Sequence, residues 1–249
     1  MGALHSAATM ASTYALEDQE RMARARNYFA WQGRLVTREL GRRVVEVGCG
    51  IGNFTGALLD RDMVIALDRD PNCTDRLRER YPNRTNLHVV TCDAGNYAFS
   101  ELAGLRLDSC VCLNVLEHIQ DDLAVVAGIA SILMPGGVIV LLLPAFPSLF
   151  GPIDKNLGHH RRYTRQSIGS LAAAAGLRIK KAHYMNVCGF FGWWANSHIF
   201  RRKAQSRGQI NFFDRYVVPL MSRLEGAVPP PFGQSLFVVL EKLQTARPS

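Results

Sequence analysis

Three glycines between Glu46 and Asn53 form the part of the sequence best suited to hold a ligand. They follow a predicted buried strand over residues 43–47 and precede a predicted helix over 54–60. Glycines let a backbone approach a ligand closely, and the first N–H groups of a helix have no partner within the helix. The strand, turn and helix together predict a site for a nucleoside-bearing cofactor.

The spacing of the glycines separates two kinds of nucleoside site. Gly48, Gly50 and Gly52 alternate with other residues, and Asn53 stands where the dinucleotide pattern G-x-G-x-x-G would need glycine or alanine. The spacing therefore disfavours an NAD-type oxidoreductase, which stays an alternative on the strand and turn alone.

Acids follow the next two predicted strands. Asp68 ends the strand predicted over 63–67, and Asp93 follows the strand predicted over 87–91. A carboxylate at the end of the second strand can accept hydrogen bonds from both ribose hydroxyls of a nucleoside. Each acid alone is equally well explained as a helix cap or a solvated loop residue, so their shared position at strand ends carries the prediction.

The order of the predicted elements indicates an α/β fold. Strands over 43–47, 63–67, 87–91, 107–113 and 137–143 alternate with helices over 54–60, 72–81 and 120–133, which predicts a doubly wound parallel sheet. A long loop over 144–163, a helix over 164–175 and strands over 178–185 and 235–240 complete the pattern. Some 45 residues between the last two strands are too many for a plain connection, so we expect an α-helical insertion over 187–232.

These motifs resemble those of the class I S-adenosylmethionine (SAM)-dependent methyltransferases. The resemblance covers about residues 25–185, and it includes Leu113–Ile119, which is similar to the family's segment after the fourth strand. Residues 158–163, Gly-His-His-Arg-Arg-Tyr, resemble the Gly-His-x-Arg-Arg-Tyr loop of a bacterial small-molecule subgroup. The resemblance implies a Rossmann-like, mostly parallel seven-stranded sheet in a domain over 14–249. The spacing of Tyr28, Trp31 and Leu35 predicts an N-terminal helix over 14–40, and the small, polar residues 1–13 predict disorder.

The resemblance also implies the cofactor and its contacts. The methyl donor would be SAM and the product S-adenosylhomocysteine, with transfer by in-line displacement. The acceptor is expected from the aromatic and basic insertion, and not from the resemblance, to be small, apolar or lipid-like and to bear a hydroxyl, acid or activated carbon. The residues expected to bind the cofactor are Tyr28, Glu46, Gly48, Cys49, Gly50, Gly52, Asp68, Arg69, Asp93, Ala94, Asn114, Val115 and Leu116.

The segment Asp154–Thr164, which we name the acceptor loop, is the best source of a general base. It follows the fifth strand, so it lies at the edge where ligands bind in open sheets, and a hydroxyl or carbon acid must lose a proton. We expect His159, His160 and Tyr163 to be catalytic. The alternative is a solvated surface loop capped by Thr164. The residues expected to contact the acceptor are His118, Asp154, Arg161, Arg162, Trp193 and Trp194.

The insertion and its surroundings are basic and aromatic. Residues 150–203 contain ten Lys or Arg and one acid, and aromatic residues cluster at 190–194. This composition suits an apolar acceptor, packing or a homodimer contact, or peripheral contact of 187–203 with a membrane surface. The base-methylating signature, Asn or Asp followed by Pro-Pro and an aromatic residue, is absent, so no nucleic-acid partner is expected. An RNA-binding protein or RNA methyltransferase that uses the basic segment is the remaining alternative.

The remaining composition places the protein in the cytoplasm. The six cysteines form no CxxC pair, which predicts reduced thiols and no metal site. There is no run of 18 apolar residues and no secretory signal. The basic aromatic insertion leaves a peripheral location at the inner face of the membrane as an alternative.

Overall fold

A single mixed sheet organises the chain, which the computed structural model describes over residues 19–202, 204 and 206–244. The strand order is β3-β2-β1-β4-β5-β7-β6, with β1 to β5 parallel and β7 antiparallel to both of its neighbours. This confirms the predicted doubly wound, mostly parallel seven-stranded fold. The strands are β1 (Arg43–Val47), β2 (Met63–Asp68), β3 (Leu87–Thr91), β4 (Leu107–Leu113), β5 (Leu133–Pro144), β6 (Leu177–Met185) and β7 (Ser235–Lys242).

Helices cover both faces of the sheet and form the insertion between β6 and β7. They are α1 (Arg26–Val36), α2 (Pro71–Arg80), α3 (Asp122–Ile132), α4 (Pro152–Leu157), α5 (Arg165–Ala174), α6 (Val187–Trp194), α7 (Arg207–Phe212) and α8 (Val218–Ala227). Single π-helical turns, Ala195–Ile199 and Phe213–Val217, follow α6 and α7.

Both faces of the central strands are buried, as expected for a parallel sheet between two helical layers. On one face Val45 and Ile139 belong to the same apolar cluster as Ile129 of α3. On the other face Val44 belongs to a second cluster that includes Trp31 of α1. The sheet therefore holds the carboxyl ends of β1, β2 and β4 at fixed positions along one edge.

Three predicted elements differ in the structure. The helix predicted over 54–60 is a single 3₁₀ turn, Thr55–Leu58, because glycines at 52 and 56 weaken helix formation there. The helix predicted over 14–40 is interrupted at 23–25 and ends at Val36, while residues 14–18 and the predicted disordered segment 1–13 lie outside the described residues. The loop predicted over 144–163 contains a helical turn, Pro147–Leu149, and α4.

The cysteines and the apolar content of the helices bear on two predictions made from composition. All six cysteines have free thiols in the structure. Within the described residues no helix is both long and apolar enough to cross a membrane.

Asp214 of the insertion caps the start of α1. Its carboxylate accepts hydrogen bonds from the backbone N–H groups of Tyr28 at 2.9 Å and Asn27 at 3.2 Å. Ala25, at the N-cap position of α1, has no side chain that could cap the helix. The insertion therefore supplies what the local sequence lacks, and this long-range contact explains why α1 begins at Arg26.

Replacing this cap should weaken the whole fold. We expect Asp214→Ala to lower the free energy of unfolding by about 0.5–2 kcal/mol, the usual cost of losing a helix cap. Asp75→Ala, which removes an exposed ion pair with Arg78, is the control and should change stability by less than about 1 kcal/mol. Urea denaturation of both variants measures the difference, and equal losses would contradict the capping role of Asp214.

Candidate active site

The glycine turn after β1 has a backbone that only glycine adopts easily. Gly48 has φ +76°, and a Cβ atom there would overlap a methyl group of Val115 from the segment after β4. The N–H groups of Gly48 and Cys49 both donate to the carbonyl of Leu67, at 2.8 and 2.9 Å. The turn is thus fixed to the end of β2 and covered by the end of β4.

Asp68 links the end of β2 to the same turn. Its carboxylate accepts a hydrogen bond from the N–H of Gly50 at 2.7 Å and one from the N–H of Asp70 at 3.0 Å. Burial raises the pKa of Asp68, and these two hydrogen bonds oppose the rise. A carboxylate oxygen can accept more than one hydrogen bond, so Asp68 keeps capacity for ribose hydroxyls.

Glu46 lies beneath the turn. Its side chain is buried and accepts a hydrogen bond from the hydroxyl of Thr55 at 2.7 Å. Burial raises the pKa of Glu46 to about 8, and the nearby charge of Asp68 adds to the rise. Glu46 therefore ties β1 to the 3₁₀ turn. Cys49 is also buried, which raises the pKa of its thiol.

Gln19 covers the glycine turn, and the sequence analysis did not identify it. Its side-chain oxygen accepts a hydrogen bond from the N–H of Ile51 at 3.0 Å, and its backbone carbonyl accepts one from the Asn53 amide at 3.0 Å. A single glutamine in a polar segment gives no sequence signal for this contact. Asp68 and Gln19 thus occupy the N–H groups of Gly50 and Ile51 in the turn that precedes the 3₁₀ helix.

The other predicted cofactor residues spread along the same edge. Asp93 is exposed after β3, and its carboxylate accepts a hydrogen bond from the N–H of Gly95 at 3.0 Å. Ala94 beside it is partly buried, and Arg69 is exposed directly after Asp68. Asn114 has φ +54° and turns the chain after β4. The prediction that these residues contact a cofactor stays a prediction.

Two further predicted cofactor residues have side-chain contacts away from the glycine turn. Leu116 is fully buried in the core cluster, so its side chain does not line the edge of the sheet. Tyr28 hydrogen-bonds with Ser235 and Asn186, at the point where β7 begins and β5 and β6 end. A role of either residue in cofactor binding stays a prediction.

Asp154 organises the acceptor side. Its fully buried carboxylate accepts hydrogen bonds from the N–H of Gly151 at 2.9 Å, from Arg162 Nε at 2.8 Å and from Trp193 Nε1 at 3.3 Å, and it lies 2.9 Å from His159 Nδ1. Burial alone would raise the pKa of Asp154, but the hydrogen bonds from His159 and Arg162 outweigh burial and hold the pKa below its ordinary value. The carboxylate therefore fixes three side chains in one arrangement.

Glu117, His118 and His159 come together beside Asp154. The rings of His118 and His159 meet edge to face, with centroids 4.6 Å apart. Burial lowers the pKa of His118 to about 3, with further lowering by His159 and Arg69. Burial raises the pKa of Glu117 to about 7 despite the positive charges of His159 and Arg162.

The order of the elements along the chain contains a signal for this cluster. Glu117 and His118 follow β4, while His159 lies in the acceptor loop after β5, and β4 and β5 are neighbours in the sheet. Segments that follow neighbouring parallel strands meet at the same edge. The sequence analysis predicted His118 and His159 for the acceptor but did not include Glu117.

The remaining loop residues have structural contacts. Tyr163 is buried, and its hydroxyl donates a hydrogen bond to Asp122 at 2.9 Å. Arg161 forms an ion pair with Asp122 at 2.8 Å. His160 is exposed, and its backbone N–H donates to the carbonyl of Glu117 at 2.7 Å. Tyr163 and Arg161 therefore anchor the acceptor loop to α3, which leaves His159 as the best-placed acid or base.

The two tryptophans predicted to contact an acceptor differ in environment. Trp193 is buried, and the Arg162 guanidinium stacks over its ring at 4.7 Å. Trp194 is 45% exposed on the other side of α6. Only Trp193 joins the Asp154 cluster, because successive residues on a helix point in different directions.

Comparison with known proteins identifies the family. A family model for a methyltransferase domain matches residues 14–182, more than half of the chain. This chain belongs to that methyltransferase family. It is accordingly a SAM-dependent methyltransferase, and the family excludes the alternative of an NAD-type oxidoreductase.

Individual relatives and a solved structure agree with the family. A "probable S-adenosylmethionine-dependent methyltransferase" of Mycolicibacterium smegmatis is 32% identical over 59% of this chain and 56% of its own length. A ubiquinone biosynthesis O-methyltransferase of Xanthomonas campestris pv. campestris is 26% identical over 72% of this chain and 77% of its own. The methyltransferase solved with the Haloferax volcanii Trm112 activator has a similar fold, with a TM-score of 0.64, 16% identity, and coverage of 96% of this chain and 99% of the other. The chain thus spans little more than half the length of the first relative.

The residues at the glycine turn fit the methyl donor. SAM supplies a methyl group on a positively charged sulfur, and the protein must hold that group in line with the acceptor and exclude water. Gly48 adds no side chain of its own to the turn, which Val115 covers, and Asp68 offers a carboxylate beside the turn. We expect these two features to hold the methionine and ribose parts.

Loss of the Asp68 charge should weaken cofactor binding. We expect Asp68→Asn to raise the Kd for SAM at least about tenfold, because a hydrogen bond to a charged group contributes about 1.5–3 kcal/mol. Asp62→Asn is the control, since Asp62 precedes the opposite end of β2 and pairs with Arg42 at the surface. Isothermal titration with SAM measures both, and an unchanged Kd in Asp68→Asn would refute the assignment.

Proposed function

We propose that this methyltransferase acts on a small, apolar or lipid-like acceptor that bears a hydroxyl, an acid or an activated carbon. The observation that carries the proposal is the distribution of exposed apolar side chains. Of twelve exposed large apolar residues within the described part of the chain, nine lie in the insertion. They are Phe191, Trp194, Ile199, Phe200, Phe212, Tyr216, Leu220, Leu224 and Val228, which we name the apolar surface.

The insertion is connected directly to the acceptor side of the site. Trp193 of α6 donates to Asp154, and His198 lies 3.0 Å from the carbonyl of Ser148. An aromatic cluster continues from Phe190 to Phe146 at 5.7 Å between centroids and from Phe146 to Tyr184 at 4.7 Å. Phe190 also contacts Phe191 of the apolar surface at 5.5 Å, and Phe190, Phe146 and Leu157 of the acceptor loop pack against one apolar cluster that contains Trp193. Apolar contacts therefore connect the apolar surface with the loop that holds His159, a suitable environment for an apolar acceptor.

His159 is the group best placed to activate such an acceptor. Its Nδ1 atom lies against Asp154, which orients the ring and leaves Nε2 without a partner among the contacts of the described residues. An acceptor hydroxyl or carbon acid must lose a proton to attack the methyl group, and an oriented imidazole can take it. The name of the Xanthomonas relative, an O-methyltransferase, supports an oxygen atom as the methylated site.

The charges around the apolar surface favour a membrane as the place where the acceptor is met. Basic residues accompany the apolar ones, namely Arg201, Arg202, Arg207, Arg215 and Arg223. Aromatic residues beside arginines suit the headgroup region of an anionic membrane. We therefore include in the proposal a peripheral membrane contact that involves residues 187–203. A homodimer through the same surface is the competing explanation.

The class of acceptor can be read from the fate of a labelled methyl group. We expect radiolabel from SAM, added with the protein to an extract of the source organism, to enter the organic fraction, because the apolar surface leads to the acceptor loop. The Asp68→Asn variant is the control and should transfer much less label. Label in protein or nucleic acid would refute a small-molecule acceptor and would favour the RNA alternative or a protein substrate.

Membrane contact should depend on the apolar surface. We expect Phe200→Ser/Phe212→Ser to reduce sedimentation with vesicles of anionic phospholipid at least about tenfold, since a buried Phe side chain contributes about 1.5–3 kcal/mol. Leu123→Ser/Ile179→Ser is the matched control, since both residues are exposed but lie outside the insertion. If the wild-type protein does not sediment with vesicles but forms a dimer that Phe200→Ser/Phe212→Ser disrupts, the apolar surface is a homodimer contact and not a membrane contact.

A further inference from the structure

Glu117 has a buried oxygen that lacks a partner. The residue is 1% exposed, and its Oε2 atom has no hydrogen-bond partner in the structure. A buried carboxylate without partners is costly, so native proteins satisfy nearly all such atoms with protein groups, water or ions. The position of Glu117 therefore calls for a positively charged or donating group beside it.

Two imidazoles are placed to share such a group. One donor atom each from Glu117, His118 and His159 lies within 4.8 Å of the other two. Bonds from zinc to nitrogen and oxygen ligands are about 2.0–2.2 Å long, so three atoms around one ion lie about 3–4 Å apart. A shift of about 1 Å, within the reach of side-chain rotation, would close the three atoms around a single ion.

Both histidines are already oriented as metal ligands usually are. Metal-binding histidines commonly hydrogen-bond through the other ring nitrogen to a carboxylate or a backbone group. Here His159 Nδ1 meets Asp154 at 2.9 Å, and the ring of His118 hydrogen-bonds with the backbone of Leu157. Each ring therefore has one nitrogen engaged by the protein and one available to an ion.

We propose that Glu117, His118 and His159 form a site for a divalent transition-metal ion of the zinc class. Two imidazoles and one carboxylate suit Zn²⁺ better than Mg²⁺, which prefers oxygen ligands. Three protein ligands leave a fourth position open, as in catalytic zinc sites. Asp154, which contacts only His159 among the three, is a positioning residue for this site.

The open position would take an oxygen atom of the acceptor, a role that rests on the proposed function. A cation lowers the pKa of a bound hydroxyl. The hydroxyl proton leaves to water, the oxygen lone pair forms the new O–C bond, and the methyl–sulfur bond breaks with its electron pair returning to sulfur. In the metal-bound protein His159 would act as a ligand, and the cation would activate the acceptor in place of the general base.

Cobalt provides a direct test with the full-length protein. We expect the chelator-treated chain to bind one Co²⁺, with a visible spectrum typical of tetrahedral coordination, and Zn²⁺ to displace it. Glu117→Gln, which preserves the shape of the side chain, and His118→Ala should each weaken Co²⁺ binding at least about tenfold, the lower end of the effect of lost supporting contacts at metal sites. His160→Ala is the matched control from the same loop and should bind Co²⁺ as the wild type does.

Each other outcome is decisive. The site would be overturned by any of three results: no Co²⁺ binding, unchanged affinity in Glu117→Gln, or a thiolate-to-cobalt band that indicates cysteine ligands. Displacement of Co²⁺ by equal amounts of Mg²⁺ would overturn the assignment to the zinc class. Thermal melts of each variant separate a lost ligand from a lost fold. Methyl transfer to the organic fraction that persists without metal would refute the role of the cation but not the site. Absence of transfer with or without metal would refute the proposed function and leave the titration valid.

Discussion

The proposed acceptor side of this methyltransferase depends on one buried carboxylate, that of Asp154. Asp154 receives hydrogen bonds from the backbone at Gly151, from Arg162 and from Trp193, and it orients His159. These groups come from the start of α4, from the acceptor loop and from the insertion. A buried charge is stable only when it is paired and hydrogen-bonded, and removal of one partner commonly costs about 3–5 kcal/mol. The arrangement is therefore held as a unit, which keeps the ring of His159 in one orientation beside the sheet.

The predicted cofactor side is held mainly by backbone contacts. Here the backbone matters more than side-chain charge, because Gly48 is overlaid by Val115 and bonded to the carbonyl of Leu67. Neighbouring parallel strands bring these contacts together without a long-range ion pair. The two sides meet at the end of β4, where Val115 covers the glycine turn and Glu117 and His118 face the acceptor loop. One short segment thus connects cofactor binding to acceptor chemistry.

The sequence predicts features that depend on neighbouring residues better than features that depend on long-range side-chain contacts. The alternation of strands and helices along the chain, the glycine turn and Asp68 are local signals, since each depends on a few adjacent residues and on the geometry of strand ends. The cap from Asp214, the cover from Gln19 and the hydrogen bonds of Asp154 join residues far apart in the chain, and no local pattern encodes such a pairing. Tyr163 shows the limit of a motif: its position in the acceptor loop was predicted, but its hydroxyl is bonded to Asp122. The meeting of Glu117 with His159 could have been inferred from the neighbouring strands β4 and β5.

We propose that the glycine turn, Asp68 and the pair of His118 and His159 form one continuous site. A crystal structure of the protein with S-adenosylhomocysteine tests this proposal directly. We expect the ribose hydroxyls on the Asp68 carboxylate and the sulfur directed toward His118 and His159. A ligand whose sulfur faces away from this pair, toward α2 or the solvent, would contradict the claim and would separate the acceptor loop from the methyl-transfer site.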